Sequence, residues 1–152
     1  MNDFRVAVTT ILSVDNHPDA DRLSINTLDG FTTVSNKVDG EHRYRAGDLV
    51  AYIPEGSLLP EWLVKHMDCW DAEKGKGILE GPAGNRVKAK KFRGVRSIGM
   101  LYPIEEREPG TQDYFISLPI VSDEGEYNGT VKFTVHLGDD VAKYLGITEY
   151  VR

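Results

Sequence analysis

The sequence predicts a mainly β fold, a small closed barrel or sandwich carrying one or two short helices. Three observations lead there. Short runs rich in valine, isoleucine and threonine recur at close spacing with turn residues between them. The pair Asp29-Gly30 stands between two runs that can answer each other as a hairpin. Only one sizeable stretch joins a proline start to a helical apolar spacing.

In order along the chain, residues 4–14 form the first strand and end at Asp15-Asn16-His17-Pro18. Residues 23–28 alternate, Asp29-Gly30 turns tightly, and residues 31–34 return. Residues 37–47 are polar and turn-rich, and the run DLVAYI over 48–53 is a short apolar strand. Pro60 then opens a helix over EWLVKHMDCW, on which Trp62, His66 and Trp70 share a face with Leu63 and Met67 beside it. The Gly/Lys-rich loop over 73–84 is the best candidate for local mobility. Residues 86–92 and 98–104 read as strands around Arg93-Gly94, and 114–121 and 130–137 as a further pair across an acidic, glycine-containing region. Residues 139–145 read as a short helix that Asp139 or Asp140 caps. The expected organisation is one domain over residues 1–152, with a helical insertion near 58–72 and a C-terminal strand and helix extension near 112–150.

An apolar content of 40% and a charged content of 28% are ordinary for a globular chain. The single cysteine, Cys69, allows no intrachain disulfide and points to a reducing, cytoplasmic setting. The opening MNDFRVAVTT has no cationic leader ahead of an apolar run, and no apolar run is long enough to span a bilayer, so no membrane partner is expected. The net charge of −6 argues against indiscriminate polyanion binding. Residues 84–104 nevertheless hold six basic side chains, Arg86, Lys88, Lys90, Lys91, Arg93 and Arg96, and no acidic one. Twelve basic residues then face twenty-four acidic ones elsewhere, so the cationic character is confined to one stripe.

Two segments carry the chemistry. The first, HPDADRL over 17–23, follows a strand; Pro18 fixes a turn in which Asp19 or Asp21 can accept backbone N–H bonds. Read blandly, it is a β-turn without a ligand. The second, KFRGVRSIGM over 91–100, combines glycines that permit sharp bends with cations placed to neutralise phosphates; its bland counterpart is a solvated basic hairpin.

Together these segments resemble the tRNA-binding OB domains, and at greater length the N-terminal OB-like domain of ATP-dependent RNA ligases of the Deinococcus radiodurans type. The longer match runs through the HPDADRL turn, GDLVAYI over 47–53, SLLP over 57–60, the RVKAKKFRGVRSIG block over 86–99 with its Leu-Tyr-Pro continuation, and the DDVAKYLGITEY tail over 139–150. The long insertion with its Trp-bearing helix, between GDLVAYI and the RG block, favours the ligases over the tRNA-binding domains. The resemblance implies an OB-like β-barrel that binds RNA or an RNA-containing duplex. It would hold RNA ends for a nucleotidyltransferase domain or subunit that this sequence, ending at Arg152, does not include. Lys88, Lys90, Lys91, Arg93 and Arg96, with Arg86, would contact phosphates and Phe92 would stack on a base. No cofactor is expected in this chain; ATP and magnesium would belong to the ligase domain.

Other readings stay open: a free-standing tRNA-binding domain, a protein-interaction barrel with a merely solvated stripe, or a minimal adenylyltransferase. The last rests on Lys37-Val38-Asp39-Gly40, which satisfies the KxDG pattern of lysines that attack the α-phosphate of ATP. It lies in a polar turn between two strands, and the wider set of phosphate- and metal-holding groups has no convincing place in the sequence. His66 and Cys69 have the i, i+3 spacing of metal ligands, but no second pair stands nearby and core packing is the expectation. Trp62 and Trp70 are expected in the core as well. No phosphate-binding glycine loop, dinucleotide fingerprint or Ser/His/Asp signature is present.

Overall fold

The computed structural model describes residues 4–108, 110–111 and 113–151; the predicted domain ends at 1 and 152, and the predicted start of the C-terminal extension at 112, lie outside them. The first half supplies β1 (Ala7–Thr10), β2 (Ser13–His17), β3 (Ala20–Leu28), β4 (Phe31–Asn36) and β5 (Leu49–Ile53). The single strand predicted over 4–14 is thus two strands broken at Ile11-Leu12. A segment containing β6 (Ser57–Leu58), α1 (Glu61–His66), β7 (Trp70–Asp71) and β8 (Lys76–Gly77) follows. The basic stripe contributes β9 (Lys90–Phe92), β10 (Val95–Ser97) and β11 (Met100–Pro103). The chain ends through β12 (Glu105–Glu106), β13 (Tyr114–Val121), β14 (Tyr127–Val135), α2 (Ala142–Leu145) and β15 (Thr148–Glu149).

The predicted mainly β architecture is present, with two short helices. All ladders are antiparallel: β1 and β11 flank β5, and β2 and β4 flank β3. Because β1 continues into β2, and β10 into β11, the strands follow one another round a barrel until β4 meets β10. No ladder forms at that meeting. Ile98 N–H donates to Thr32 C=O at 3.0 Å, Thr32 Oγ1 to Arg96 C=O at 2.9 Å and Val34 N–H to Ser97 Oγ at 2.9 Å. The closure expected from the sequence is therefore incomplete along one seam.

Alternation in β5 and β11 divides the apolar residues between two cores. Val50 and Leu101 point inward to a cluster with Ile11, Leu28 and Tyr44, against which Val14 and Phe31 pack. Leu49, Ala51, Ile53 and Tyr102 point the other way, into a larger cluster shared with Leu63 and Val64 of α1, Ile116 and Leu118 of β13, and Leu145 of α2. Both faces of β5 are buried, which is why its sequence is an uninterrupted apolar run. The insertion and the C-terminal segment consequently cover the outer face of the β1–β5–β11 sheet.

The helix predicted over 61–70 ends at His66, because Asp68 takes a left-handed φ of 58°. Trp70 lies in β7, so the Trp62–His66–Trp70 stripe is not one helical face; both tryptophans pack, half-buried, on the larger core. The 73–84 loop is folded: β7 pairs with β8, and the Gly77 and Gly84 backbones approach so closely that neither position has room for a side chain. Asp140 Oδ1 accepts the N–H of Ala142 at the start of α2 and that of Val6, both at 3.0 Å, tying the helix to the beginning of the chain. No helix among the described residues is long and apolar enough to cross a membrane.

Candidate nucleic-acid interface

The basic stripe is a hairpin. Its register pairs Lys90 with Ser97, Lys91 with Arg96 and Phe92 with Val95 around the two-residue turn Arg93-Gly94. Both turn residues have positive φ, 50° and 87°, the geometry that matches the twist of a tight hairpin. Glycine adopts it freely; arginine does so at a cost. Directly opposed residues share a face, so Lys91 and Arg96 stand together on one side. Lys90, Phe92 and Ser97 take the other side, where with Lys88 they line a groove. Lys88, Lys90, Lys91, Phe92, Arg93 and Arg96 are all exposed. Among the described residues, no carboxylate lies within ion-pair reach of Lys88, Lys91, Arg93 or Arg96, and Lys90 has Glu80 at 4.0 Å.

Arg86 stands apart from this group. Its guanidinium lies 4.3 Å over the Tyr150 ring, its Nε is buried without a partner, and its backbone bridges Leu58 and Glu80. It packs the insertion against the C-terminal segment rather than facing outward with the hairpin.

The HPDADRL turn meets the hairpin directly. His17 is 4% exposed, and its Nε2 lies 2.6 Å from the carbonyl oxygen of Phe92. Its Nδ1 accepts the N–H of Asp19 at 3.0 Å. A carbonyl only accepts, so Nε2 carries the proton and Nδ1 the lone pair. The ring of His17 therefore holds the turn, in place of the aspartate carboxylates expected from the sequence. The structure brings the two separate sequence signals together at one end of the barrel.

Between them lies a sheet face that nothing among the described residues covers with a second layer. In the β2–β3–β4 register, Asp15, Ile25 and Val34 share this outer face, as do Ser13, Thr27 and Thr32. Thr32 and Val34 bind β10 at Arg96 and Ser97, so the Lys91–Arg96 side of the hairpin extends this surface.

Lys37 is half-buried, and its Nζ donates to Asn16 Oδ1 at 2.9 Å in an exposed hydrogen bond. Val38 and Glu41 exchange backbone hydrogen bonds of 2.8 and 3.0 Å, and Asp39 and Gly40 between them have φ of 53° and 80°. The aspartate and glycine of the KxDG pattern are thereby accounted for as another tight two-residue turn. Cys69 is buried, with Sγ donating to the Met67 carbonyl at 3.4 Å and its thiol pKa pushed up by burial. His66, expected in the core, is instead exposed on α1 with its ring 6.0 Å from that of Tyr102, and partial desolvation lowers its pKa. Among the described residues no three His, Cys, Asp or Glu side chains are grouped to hold a metal ion.

The family described as an OB-fold domain matches residues 5–104. The phenylalanine–tRNA ligase beta subunit of Syntrophotalea carbinolica is 30% identical over 143 residues, 94% of this chain and 15% of that protein. A Naegleria gruberi RNA ligase mutant with ATP and manganese superposes with a TM-score of 0.61 at 22% identity, over 97% of this chain and 35% of the ligase. The same ligase with pyrophosphate gives a TM-score of 0.57 at 20% identity, over 97% of this chain and 35% of that one. At these identities the likeness to the ligases is one of fold. The chain spans about a seventh of the curated relative's length and about a third of the ligase's.

Proposed function

The chain belongs to the OB-fold domain family, and from that premise we propose that it is an RNA-binding module of an RNA ligase system, of the Deinococcus radiodurans type. It would position RNA ends for a nucleotidyltransferase domain that uses ATP and magnesium, in the cytoplasm. The observation that carries this reading is the β9–β10 hairpin, anchored through His17 to the HPDADRL segment, whose Lys91, Arg93 and Arg96 have no ion-pair partner among the described residues. Lys91, Arg93 and Arg96 contact phosphates from the open side, Lys88 and Lys90 from the groove side, and the exposed Phe92 stacks on a base. Arg86, held over Tyr150, supports the site by packing. Phosphate contacts fix position without reading sequence, so sequence preference is slight. Domain organisation follows the same reading: one OB-like unit with an insertion and an extension that rest on its covered face.

A second reading, a tRNA-binding domain, is favoured by the 30% identity to a phenylalanine–tRNA ligase subunit over nearly the whole chain. Competition between tRNA and a nicked RNA duplex separates the two, with the duplex expected to win. The shared premise is tested by the Lys91→Glu/Arg96→Glu variant. RNA affinity should fall steeply, and the salt dependence should weaken by about 0.7 in log–log slope per lost contact to a single strand. Unchanged affinity would remove the hairpin from the interface.

A further inference from the structure

The seam at which the barrel stays open is bounded by two strand edges with unpaired peptide groups. Ile104 N–H donates to Leu49 C=O at 3.3 Å, and the register then directs the peptide groups of Tyr102 and Met100 toward β5. Those of Leu101, and the carbonyl of Pro103, point to the opposite edge. On β4, Lys37 N–H donates to Arg22 C=O at 2.8 Å, so Ser35 and Thr33 face β3. Thr32, Val34 and Asn36 face the seam. There Thr32 C=O and Val34 N–H are taken by β10, whereas the Val34 carbonyl and both peptide groups of Asn36 have no partner among the described residues. Val34, Asn36, Leu101 and Pro103 all line one groove of about 1340 Å³.

The groove differs chemically from the basic hairpin above it. Its charged lining comprises Asp39, Glu41, Asp48, Asp68 and Glu105 against Arg43, Lys88 and Lys90, an acidic excess. The cations Lys88 and Lys90 lie only at its hairpin end. Val38 and Ile78, 51% and 55% exposed, add apolar contact surface. A polyanion is repelled by such a lining, whereas an extended polypeptide finds strand edges to pair with, apolar contacts and opposite charge.

We infer that this seam is a docking site for an extended segment of a protein partner in which aliphatic residues alternate with lysine or arginine. The segment pairs with the Leu101–Pro103 and Val34–Asn36 edges and places its cations against Glu41, Asp39 and Glu105. The site adjoins Lys88, Lys90 and Phe92, the groove-side residues assigned to RNA, but occupies the acidic stretch beyond them and does not depend on that assignment.

The test uses the full chain and a fluorescein-labelled octapeptide library alternating Val, Ile or Leu with Lys or Arg. A matching library with Glu in place of the cations is the control. Saturable binding of the basic library is expected, with amide NMR perturbations at Val34, Asn36 and Leu101, and at least a tenfold loss in Glu41→Lys/Glu105→Lys. RNA affinity in that variant should be retained. Absence of binding by the basic library, equal binding of the Glu library, or perturbations mapping elsewhere would overturn the inference. So would perturbation of the Leu101 and Glu41 amides, away from the hairpin, by single-stranded oligouridylate, which would make the acidic stretch of the groove an RNA path. The mapping on the unmodified protein holds whether or not the double variant folds.

Discussion

The imidazole of His17 and the main-chain carbonyl of Phe92, 75 positions apart in the chain, form a 2.6 Å hydrogen bond that fastens the HPDADRL turn to the basic hairpin. With Nδ1 engaged by the Asp19 N–H, the ring is fixed at both nitrogens. His17→Ala removes both bonds at a buried position and is expected to cost about 1–3 kcal/mol, measured by urea unfolding. The hairpin's cations remain in the variant. RNA affinity should therefore fall through loss of anchoring while the salt slope stays as in the parent protein. A reduced slope would mean that the hairpin cations lose phosphate contacts once the anchor is gone.

Much of this arrangement was legible in the sequence, for reasons that particular residues make plain. β5 was evident because an apolar run bounded by turn residues has few other fates, and the Asp29-Gly30 hairpin because glycine tolerates the positive φ of 88° found there. The cationic stripe was evident from charge alone. Its division into a Lys91–Arg96 side and a Lys88–Lys90–Phe92 side was not, because that depends on which residue the two-residue turn places opposite which. The early end of α1 was also hidden, since helical spacing continued through Trp70 while Asp68 left the helix. The open seam is a property of three-dimensional pairing: no local pattern marks Leu101 or Asn36 as an unpaired edge.

Arg93 holds a left-handed φ of 50° at a turn position where asparagine or glycine is preferred. The conformational cost there is about 1 kcal/mol, which the proposed phosphate contact would offset. Arg93→Asn should leave the hairpin register intact and raise the melting temperature. RNA binding should weaken, with the log–log salt slope reduced by about 0.7. Equal RNA affinity in a more stable variant would show that the guanidinium makes no contact.

Two tyrosines are expected to contribute to a loss of stability at alkaline pH. Tyr52 and Tyr102 have pKa values raised to about 12, in each case chiefly by burial, with Glu55 and Glu105 adding to it. Both hydroxyls donate, to Ile98 C=O at 3.0 Å and to Ser117 C=O at 2.7 Å, and a phenolate cannot. The folded state therefore holds its protons where the unfolded chain, titrating near 10, has lost them. This stabilisation is complete below pH 10 and is lost as pH rises toward about 12. Denaturant midpoints measured from pH 8 to 12 should be level at first and then fall. Tyr52→Phe and Tyr102→Phe should each cost about 1 kcal/mol at neutral pH and flatten that fall.

The KxDG pattern at Lys37 makes the sharpest chemical test. A lysine that attacks the α-phosphate of ATP needs groups around it to hold the triphosphate and its metal. Here Nζ is bonded to Asn16 at the surface, and Asp39 and Gly40 are occupied in turning the chain. Incubation with α-labelled ATP and magnesium is expected to leave the protein unlabelled. Lys37→Ala should change stability by less than about 1 kcal/mol, because only one exposed hydrogen bond is lost. Covalent label that disappears in Lys37→Ala would make this turn a nucleotidyl-transfer site and the chain an enzyme in its own right. Label that persists in the variant would place the acceptor elsewhere and leave the turn as structure.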